Sequence, residues 1–282
     1  MIWLLILGTW EGAYRLVHWR PWIFPAPSMI VDSLLGMLNI ETSFGAPVST
    51  PGWPLPRQGP DAGAAPASRE SHWYDSPLIL ANVVSLVRLA VGFSLSLIVG
   101  GLIGLMMWRW GALDQFLGPP LLGVQTLPSV CWVPMAILLL GLSEKGILFV
   151  MVMGSFAAVA ISMRDGLRMI PPLFPRAGLM LGARGWRLYR YVLLPASLPA
   201  LATSLRQGFS FAWRSLMGAE LILVVAGRYH RGLGFLLQTG RDTSDISQVI
   251  AVMIVMVVIG MLADRWVFAR IQSGVQARFG LE

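Results

Sequence analysis

Charged residues are scarce in this 282-residue chain, at 12% of its length, whereas an ordinary soluble domain has about a quarter. Hydrophobic residues make up 56%. This balance excludes a soluble globular enzyme as the default class. It also excludes a disordered chain, because disorder requires low hydrophobicity. The sequence therefore predicts that lipid surrounds most of the chain.

Cysteine and lysine are almost absent. Cys131 is the only cysteine, which excludes an intramolecular disulfide and a cysteine-based metal site. Lys145 is the only lysine, and Gly146-Ile147 follows it. A P-loop requires Gly-x-x-x-x-Gly-Lys-Ser/Thr, so the chain has no ATPase motif of its own.

Patterns for catalysis are missing as well. The sequence has no Gly-x-Ser-x-Gly elbow. The histidines are far apart in the sequence and form neither a triad nor a metal cluster with any set spacing: His18, His72 and His230. We therefore predict no catalytic residue, no metal site and no cofactor bound by this chain.

Six apolar segments predict an all-α membrane protein with about six transmembrane helices, because backbone groups in hydrocarbon must be hydrogen-bonded internally. The segments are residues 2–10 (extending to 16), 78–108, 121–142, 147–163, 198–226 and 249–263. A signal peptide is the rival interpretation of the first segment, but the basic n-region and the small-residue cleavage site are missing. We favour a first transmembrane helix whose start is truncated.

The remaining sequence divides the chain into four parts. Residues 1–20 hold the first span, and residues 21–77 form an external segment with a short amphipathic helix at 27–38 and a Pro/Gly-rich flexible loop. Residues 78–269 form a five-helix core, and residues 270–282 form a cytoplasmic tail.

The basic residues predict the orientation in the membrane. One set of short connections holds ten of them: Arg109, Arg164, Arg168, Arg176, Arg184, Arg187, Arg190, Arg265, Arg270 and Arg278. The opposite set holds four: Lys145, Arg228, Arg231 and Arg241. The positive-inside rule places the richer set and both termini in the cytoplasm. The same rule explains the net charge of +7 without a nucleic-acid partner.

The largest basic connection, residues 164–195, carries a helical pattern at 177–192. Gly182 and Gly185 would permit a sharp turn between two short helices, and Pro195 marks the end of the connection. One interpretation is a solvated amphipathic helix on the anionic inner leaflet. A second interpretation depends on the spacing of the residues.

The order Ala177-Gly178-x-x-x-Gly182, nine residues, Val192-Leu193-Leu194-Pro195 resembles the cytoplasmic loop of bacterial ABC-importer permeases. That loop reads Glu-Ala-Ala, three residues, Gly, nine residues, Ile-x-Leu-Pro. Here Arg176 stands at the Glu position and Gly178 at the second Ala. Further similar stretches are Leu127-Pro128, Val133-Pro134, Ala219-Glu220 and Gly232-Leu233-Gly234. The chain resembles the nitrate, sulfonate and taurine branch of the binding-protein-dependent inner-membrane components.

The resemblance implies a type I ABC-importer permease in a bacterial inner membrane. Its expected partners are a second permease copy in a homodimer, two ATPase subunits that carry ATP and Mg, and a periplasmic or lipid-anchored substrate-binding protein. The expected substrate is a small anion such as a sulfonate, taurine or nitrate. The residues expected to contact the ATPase are Arg176, Ala177, Gly178, Gly182, Ala183, Val192, Leu194 and Pro195.

Charged residues inside the apolar segments suggest a second group of site residues, because intramembrane charges usually face partners or water. Arg88 and Glu220 are at similar depths, and we predict that they pair, directly or through Asn82 or Ser85. Such a pair would be structural or would line the substrate path. Arg214 could attract an anion, bind a helix carbonyl or contact Gln125.

Three other functions are alternatives. The chain could be an ABC-importer permease for a different small solute. An ion-coupled secondary transporter would need coupling-ion sites and often repeats of broken helices. An intramembrane enzyme would need paired His or Asp residues at membrane depth. The sequence favours neither of the last two, because acidic residues within the spans are rare and no such repeat or pair is visible.

Overall fold

The computed structural model describes residues 9–14, 25–38, 76–223 and 231–279. Every regular element in these ranges is helical. The predicted first span lies mostly outside them, and only residues 9–14 are described as helix. The predicted Pro/Gly-rich loop lies outside the described residues as well.

The helices follow one another with short connections. In chain order they are α1 Pro27–Met37, α2 Pro77–Arg109, α3 Gly111–Thr126, α4 Val133–Leu140, α5 Glu144–Arg168, α6 Leu173–Met180, α7 Trp186–Leu188, α8 Leu194–Ile222, α9 Leu233–Asp242, α10 Ile246–Ala263 and α11 Ala269–Phe279. A 3₁₀ turn, Ser129–Trp132, precedes α4, and π-helical turns at Tyr189–Leu193 and Asp264–Phe268 precede α8 and α11.

Three helices among the described residues are long and apolar enough to cross a membrane: Pro77–Arg109, Glu144–Arg168 and Ile246–Val275. The bent pair of α3 with Ser129–Leu140 makes a fourth if the pair is one span. These helices confirm the predicted all-α membrane fold. The predicted count of six spans, the orientation of the termini and the four-part division stay predictions.

The predicted third span, residues 121–142, is broken in the structure and begins earlier than predicted. Helix α3 begins at Gly111, and the chain bends by 100° between Thr126 and Ser129. Leu127 and Pro128 have extended backbone, with ψ angles of 127° and 132°. The proline explains the break, because Pro128 lacks an N–H and disfavours helical backbone at the residue before it. The apolar composition masks this break in the sequence.

The chain divides into two compact units. The first comprises Met1–Leu86 and Glu220–Val257, and the second comprises Val87–Ala219 and Val258–Glu282. In the first unit, Gln248 at the start of α10 donates to the carbonyl of Leu236 on α9 at 3.0 Å. The N–H of Gln248 is held by Asp245 at 3.1 Å. These bonds fix the corner between α9 and α10.

The second unit is built around α5, which packs against α2 and α3. The buried residues at this contact are Met107, Leu121, Ala157, Ala160 and Ile161. Ser143 caps the start of α5, because its hydroxyl accepts from the N–H of Gly146 at 3.2 Å. On α2, Gly100 and Gly104 lie against the backbone of α5 at Phe156 and Ala160. The absence of a side chain on these glycines permits the close approach.

A methyl group at Gly104 should destabilise the protein. It would lie 2.8 Å from Met163 Cβ and also against the carbonyl oxygen of Ala160, a backbone atom that cannot rotate away. We expect Gly104→Ala to lower the free energy of unfolding by about 1–3 kcal/mol, as overpacking does. The measurement is thermal unfolding of the protein in detergent.

Gly101→Ala is the matched control on the same helix, since a methyl group there has nothing within 4 Å. The control should leave the melting temperature unchanged or raise it slightly, because alanine favours a helix over glycine. Equal melting temperatures for the two variants would contradict the packing described for α2 and α5.

Candidate functional site

The connection between α5 and α8 folds into a helical hairpin, which we call the 169–193 hairpin. Its first limb, α6, ends in a Schellman turn. The N–H of Ala183 donates to the carbonyl of Gly178 at 2.9 Å, and the N–H of Gly182 donates to that of Leu179 at 3.1 Å. Gly182 and Gly185 have φ angles of +80° and +55°, which side chains rarely adopt. The turn predicted at these two glycines is therefore confirmed.

The two limbs of the hairpin touch at Gly178. A methyl group built there would lie 2.8 Å from Leu188 Cδ1 and 2.9 Å from Val192 Cγ2. The returning limb runs from α7 through the π-helical turn Tyr189–Leu193 into α8 without interruption. Because the limbs are in contact, the hairpin is a packed unit joined directly to a long helix.

The outer surface of the hairpin is apolar and exposed. Met180 and Leu181 are each 88% exposed, and Trp186 is 77% exposed. The other exposed apolar side chains are Met169, Leu173, Phe174, Leu179 and Tyr191. Contiguous exposed apolar surface of this kind marks an interaction site.

The eight residues predicted to contact an ATPase all lie on this hairpin or where it enters α8. Gly178 is buried between the limbs, and Val192 packs on it. Arg176, Ala177 and Leu194 are exposed. Within the described part of the chain, no carboxylate pairs with Arg176. Whether these residues contact an ATPase stays a prediction.

A cavity of about 630 Å³ lies behind the hairpin, between α5 and α8. Its polar lining includes Ser162, Asp165, Thr203 and Gln207. Ser162 donates to Gln207 Oε1 at 3.0 Å across it. Gly166 on α5 and Ala200 on α8 pack against each other beside this cavity, so the two helices are in contact there.

Arg88 is 5% exposed and pairs with Glu144 in the second unit. Arg88 Nε donates to Glu144 Oε2 at 2.7 Å, and Nη2 also donates to this carboxylate. The two-point contact suits the planar guanidinium. Glu144 was not predicted as a partner, because this residue lies at the start of α5 and outside every predicted span. The predicted pairing of Arg88 with Glu220 stays a prediction.

Glu220 is 2% exposed and belongs to the first unit. Ser85 donates to its carboxylate at 2.8 Å, and the N–H of Gly234 donates at 3.1 Å. The Ser85 hydroxyl accepts from the N–H of Leu233 at 2.9 Å. The contact between Ser85 and Glu220 ties α2 to the start of α9.

The other predicted polar residues have local partners. Asn82 donates to the carbonyl of Leu78 at 2.8 Å. Arg214 is exposed and donates to the carbonyl of Ser210 at 3.1 Å, which is the helix-carbonyl alternative. Gln125 is not its partner, since the Oε1 atom of Gln125 is buried without a hydrogen bond. An anion role for Arg214 stays a prediction.

Two further ion-pair groups stabilise helix ends in the second unit. Asp114 accepts from Arg164 at 2.9 Å and from Arg168 at 2.7 Å, which joins α3 to the last turn of α5. Asp264 accepts from Arg206 through both carboxylate oxygens at 2.6 Å, which joins α8 to the π-helical turn after α10. Sequence spacing alone does not predict this contact, because Arg206 and Asp264 are 58 residues apart.

Among residues 9–14, 25–38, 76–223 and 231–279, no group of three His, Cys, Asp or Glu side chains could hold a metal ion. Three long apolar helices, together with a hairpin that exposes apolar side chains, are typical of a polytopic membrane protein.

Comparison with known proteins identifies the class more closely. The family model for the binding-protein-dependent transport system inner membrane component matches residues 77–272. The match covers well over half of the chain, and the chain belongs to this family. Its helical membrane fold is thus that of a transport system inner membrane component.

Three curated relatives are similar over about two thirds of the chain. The nitrate import permease protein of Synechocystis is 26% identical, over 68% of this chain and 68% of its own length. The bicarbonate transport system permease protein of Synechococcus elongatus has the same identity and coverage, 26% and 68% of each chain. The taurine transport system permease protein of Escherichia coli is 27% identical over 67% of each chain.

The ion pair between Arg206 and Asp264 gives a stability prediction. The two side chains are 44% and 40% exposed, so solvent screens part of their attraction. We expect a double-mutant cycle with Arg206→Ala and Asp264→Ala to give a coupling energy of about 1 kcal/mol. The measurement is unfolding in detergent, and additive effects within about 0.3 kcal/mol would contradict the pair.

Proposed function

We propose that this chain is the permease subunit of an ATP-driven importer for a small anion, and that its 169–193 hairpin receives the movement of a separate ATPase. The observation that carries the proposal is the exposed apolar surface of the hairpin around Met180, Leu181 and Trp186. Membership of the transport permease family supports it.

The surroundings of this surface favour a protein partner. Arg176, Arg184, Arg187 and Arg190 are exposed on the same hairpin. A surface with so many arginines is costly to place in hydrocarbon. The exposed apolar side chains of the hairpin are in turn unfavourable in water. A groove on a soluble subunit would satisfy both, because it would bury the apolar side chains and leave the arginines at a polar rim.

The covalent structure would transmit the movement. The hairpin joins α5 and α8, and its returning limb enters α8 through the turn Tyr189–Leu193. Because Gly178 packs against Leu188 and Val192, the two limbs would move together. The pair of Arg206 with Asp264 would then pass the movement of α8 to the segment after α10. Such rigid displacements are a common form of switching.

The remaining partners follow from this role. We propose that two copies of the chain enclose the translocation path and that two ATPase subunits bind ATP and Mg²⁺ beneath them. A soluble or lipid-anchored binding protein would deliver the substrate from outside. Both termini of the chain would lie in the cytoplasm, as the basic residues indicate.

The proposed substrate is a small anion of the nitrate, sulfonate or taurine class. The names of the relatives support this class, since nitrate, bicarbonate and taurine all carry a small oxyanion group. Arginine suits such groups, because its planar fork of N–H donors matches two oxygens. The alternatives are a different small solute and, less favoured, an ion-coupled transporter.

Removal of the Trp186 side chain should weaken the ATPase complex. Trp186 contributes exposed aromatic area, and buried tryptophans dominate the energetics of interfaces. We expect Trp186→Ala to reduce the ATPase that co-purifies with the permease by about tenfold or more. Trp266→Ala is the matched control, because Trp266 is 61% exposed outside the hairpin. Equal co-purification in both variants would contradict docking at the hairpin.

Transport in proteoliposomes tests the function itself. The permease, the ATPase and the binding protein from the same source are reconstituted, and uptake of nitrate, taurine and bicarbonate is measured with and without internal ATP. We expect ATP-dependent accumulation of one of these anions. Equal uptake by the permease alone, driven by an ion gradient, would contradict the proposal and support a secondary transporter.

A further inference from the structure

Arg214 lies in the middle of α8 and lacks the carboxylate partner that Arg88 and Arg206 each have. Arg88 pairs with Glu144, and Arg206 pairs with Asp264. No carboxylate in the described ranges pairs with Arg214, whose side chain is exposed. It lies eight residues after Arg206 on α8, which is about 12 Å further along the helix axis. Among the described residues, Arg214 is thus an exposed positive charge without a carboxylate partner, and it stands between the apolar residues Phe211 and Leu216.

The side chain of Arg214 stays close to its own helix. Its Nε donates to the carbonyl of Ser210 at 3.1 Å, and the guanidinium carbon lies 4.6 Å from the ring centroid of Phe211. An arginine that reached for the membrane surface would extend its stem away from these groups. The exposed guanidinium therefore requires water or a counter-charge near its own depth.

The broken span lies beside this part of α8, in the same unit. A methyl group at Gly218, one turn after Arg214, would lie 3.2 Å from Val130 Cγ2. A methyl group at Gly154 would lie 2.7 Å from Ser129 Cβ and also against the hydroxyl of Ser215. The start of the second limb of the broken span thus packs at the level of residues 215–218.

Two polar atoms at the break lack partners. The Nε1 atom of Trp132 and the Oε1 atom of Gln125 are buried without a hydrogen bond. Extended backbone at membrane depth, as at Leu127 and Pro128, is tolerated where it is buried in protein or lines a water-filled cavity. In transporters, such breaks commonly mark the substrate path. The unpartnered donor and acceptor independently indicate water or a ligand at this place.

We infer that Arg214 is the charge-selecting residue of the translocation path, and that it holds a small oxyanion beside the break at Leu127–Pro128. The guanidinium donates to the oxygens of the anion, and its positive charge lowers the barrier for an anion over that for a neutral solute or a cation. This inference rests on the proposed importer function and names the residue that sets its charge preference.

The test changes the charge at residue 214 in a chain that has no other cysteine. Cys131 is replaced by serine, and Arg214→Cys is made in that background. The complete complex in proteoliposomes is then treated with a positively charged aminoethyl thiol reagent or a negatively charged sulfonatoethyl one. Uptake of nitrate and taurine and hydrolysis of ATP are measured in parallel.

We expect Arg214→Cys to slow uptake at least tenfold while the binding protein still stimulates ATP hydrolysis. The positive reagent should restore a third or more of the uptake, and the negative reagent should restore none. Arg214→Lys should retain a third or more of the uptake, since lysine keeps the positive charge. Arg109→Cys, which replaces an exposed arginine at the end of α2 outside the proposed path, should leave uptake unchanged with and without either reagent.

Several outcomes would overturn the inference. These are normal uptake in Arg214→Cys, equal recovery with both reagents, a thiol that neither reagent modifies, and a joint loss of uptake and ATP hydrolysis in both Arg214 variants. Failure of the Cys131→Ser parent complex to accumulate either anion with ATP is a different result. It would refute the proposed function and leave no path for Arg214 to serve.

Discussion

Hydrocarbon offers no partner for a polar group, and the rest of the structure depends on this constraint. Serines on α2 and α8 meet it locally: Ser94, Ser96 and Ser204 each donate to the carbonyl one turn earlier. Charged residues meet it over long sequence separations, as Arg88 does with Glu144. The constraint makes Arg214 informative, since its guanidinium has no carboxylate partner among the described residues.

Because hydrocarbon offers no partner for polar groups, the exposed apolar surfaces of this protein fall into two kinds. On α2 and α10 the exposed side chains are mostly apolar and few charged residues stand among them, so this surface suits lipid. On the 169–193 hairpin they stand among arginines, which suits neither hydrocarbon nor bulk water and leaves the membrane surface or a protein groove. We propose the protein groove, and a packed hairpin joined to α8 would convert the movement of that partner into movement of the membrane helices. The exposed surface of the hairpin would then receive the movement, and the broken span would lie on the substrate path.

The sequence predicted much of this arrangement. The lengths of α2 and α5 follow from apolar runs, and the hairpin turn follows from Gly182 and Gly185, since glycine suits positive φ. The break at Pro128 was missed because apolar composition continues across it. The partner of Arg88 was missed because the contact joins residues 56 apart. Local rules predict elements, but contacts between distant segments require the fold.

Cross-linking from the hairpin tests the central claim most directly. A photoreactive group is attached at Leu181→Cys, in a Cys131→Ser background, within membranes that contain the complete transporter. Leu181 is 88% exposed, and Met261 on α10, 65% exposed, is the comparison position. The account predicts an adduct between residue 181 and the ATPase and none from residue 261. Adducts of residue 181 with lipid alone would contradict it.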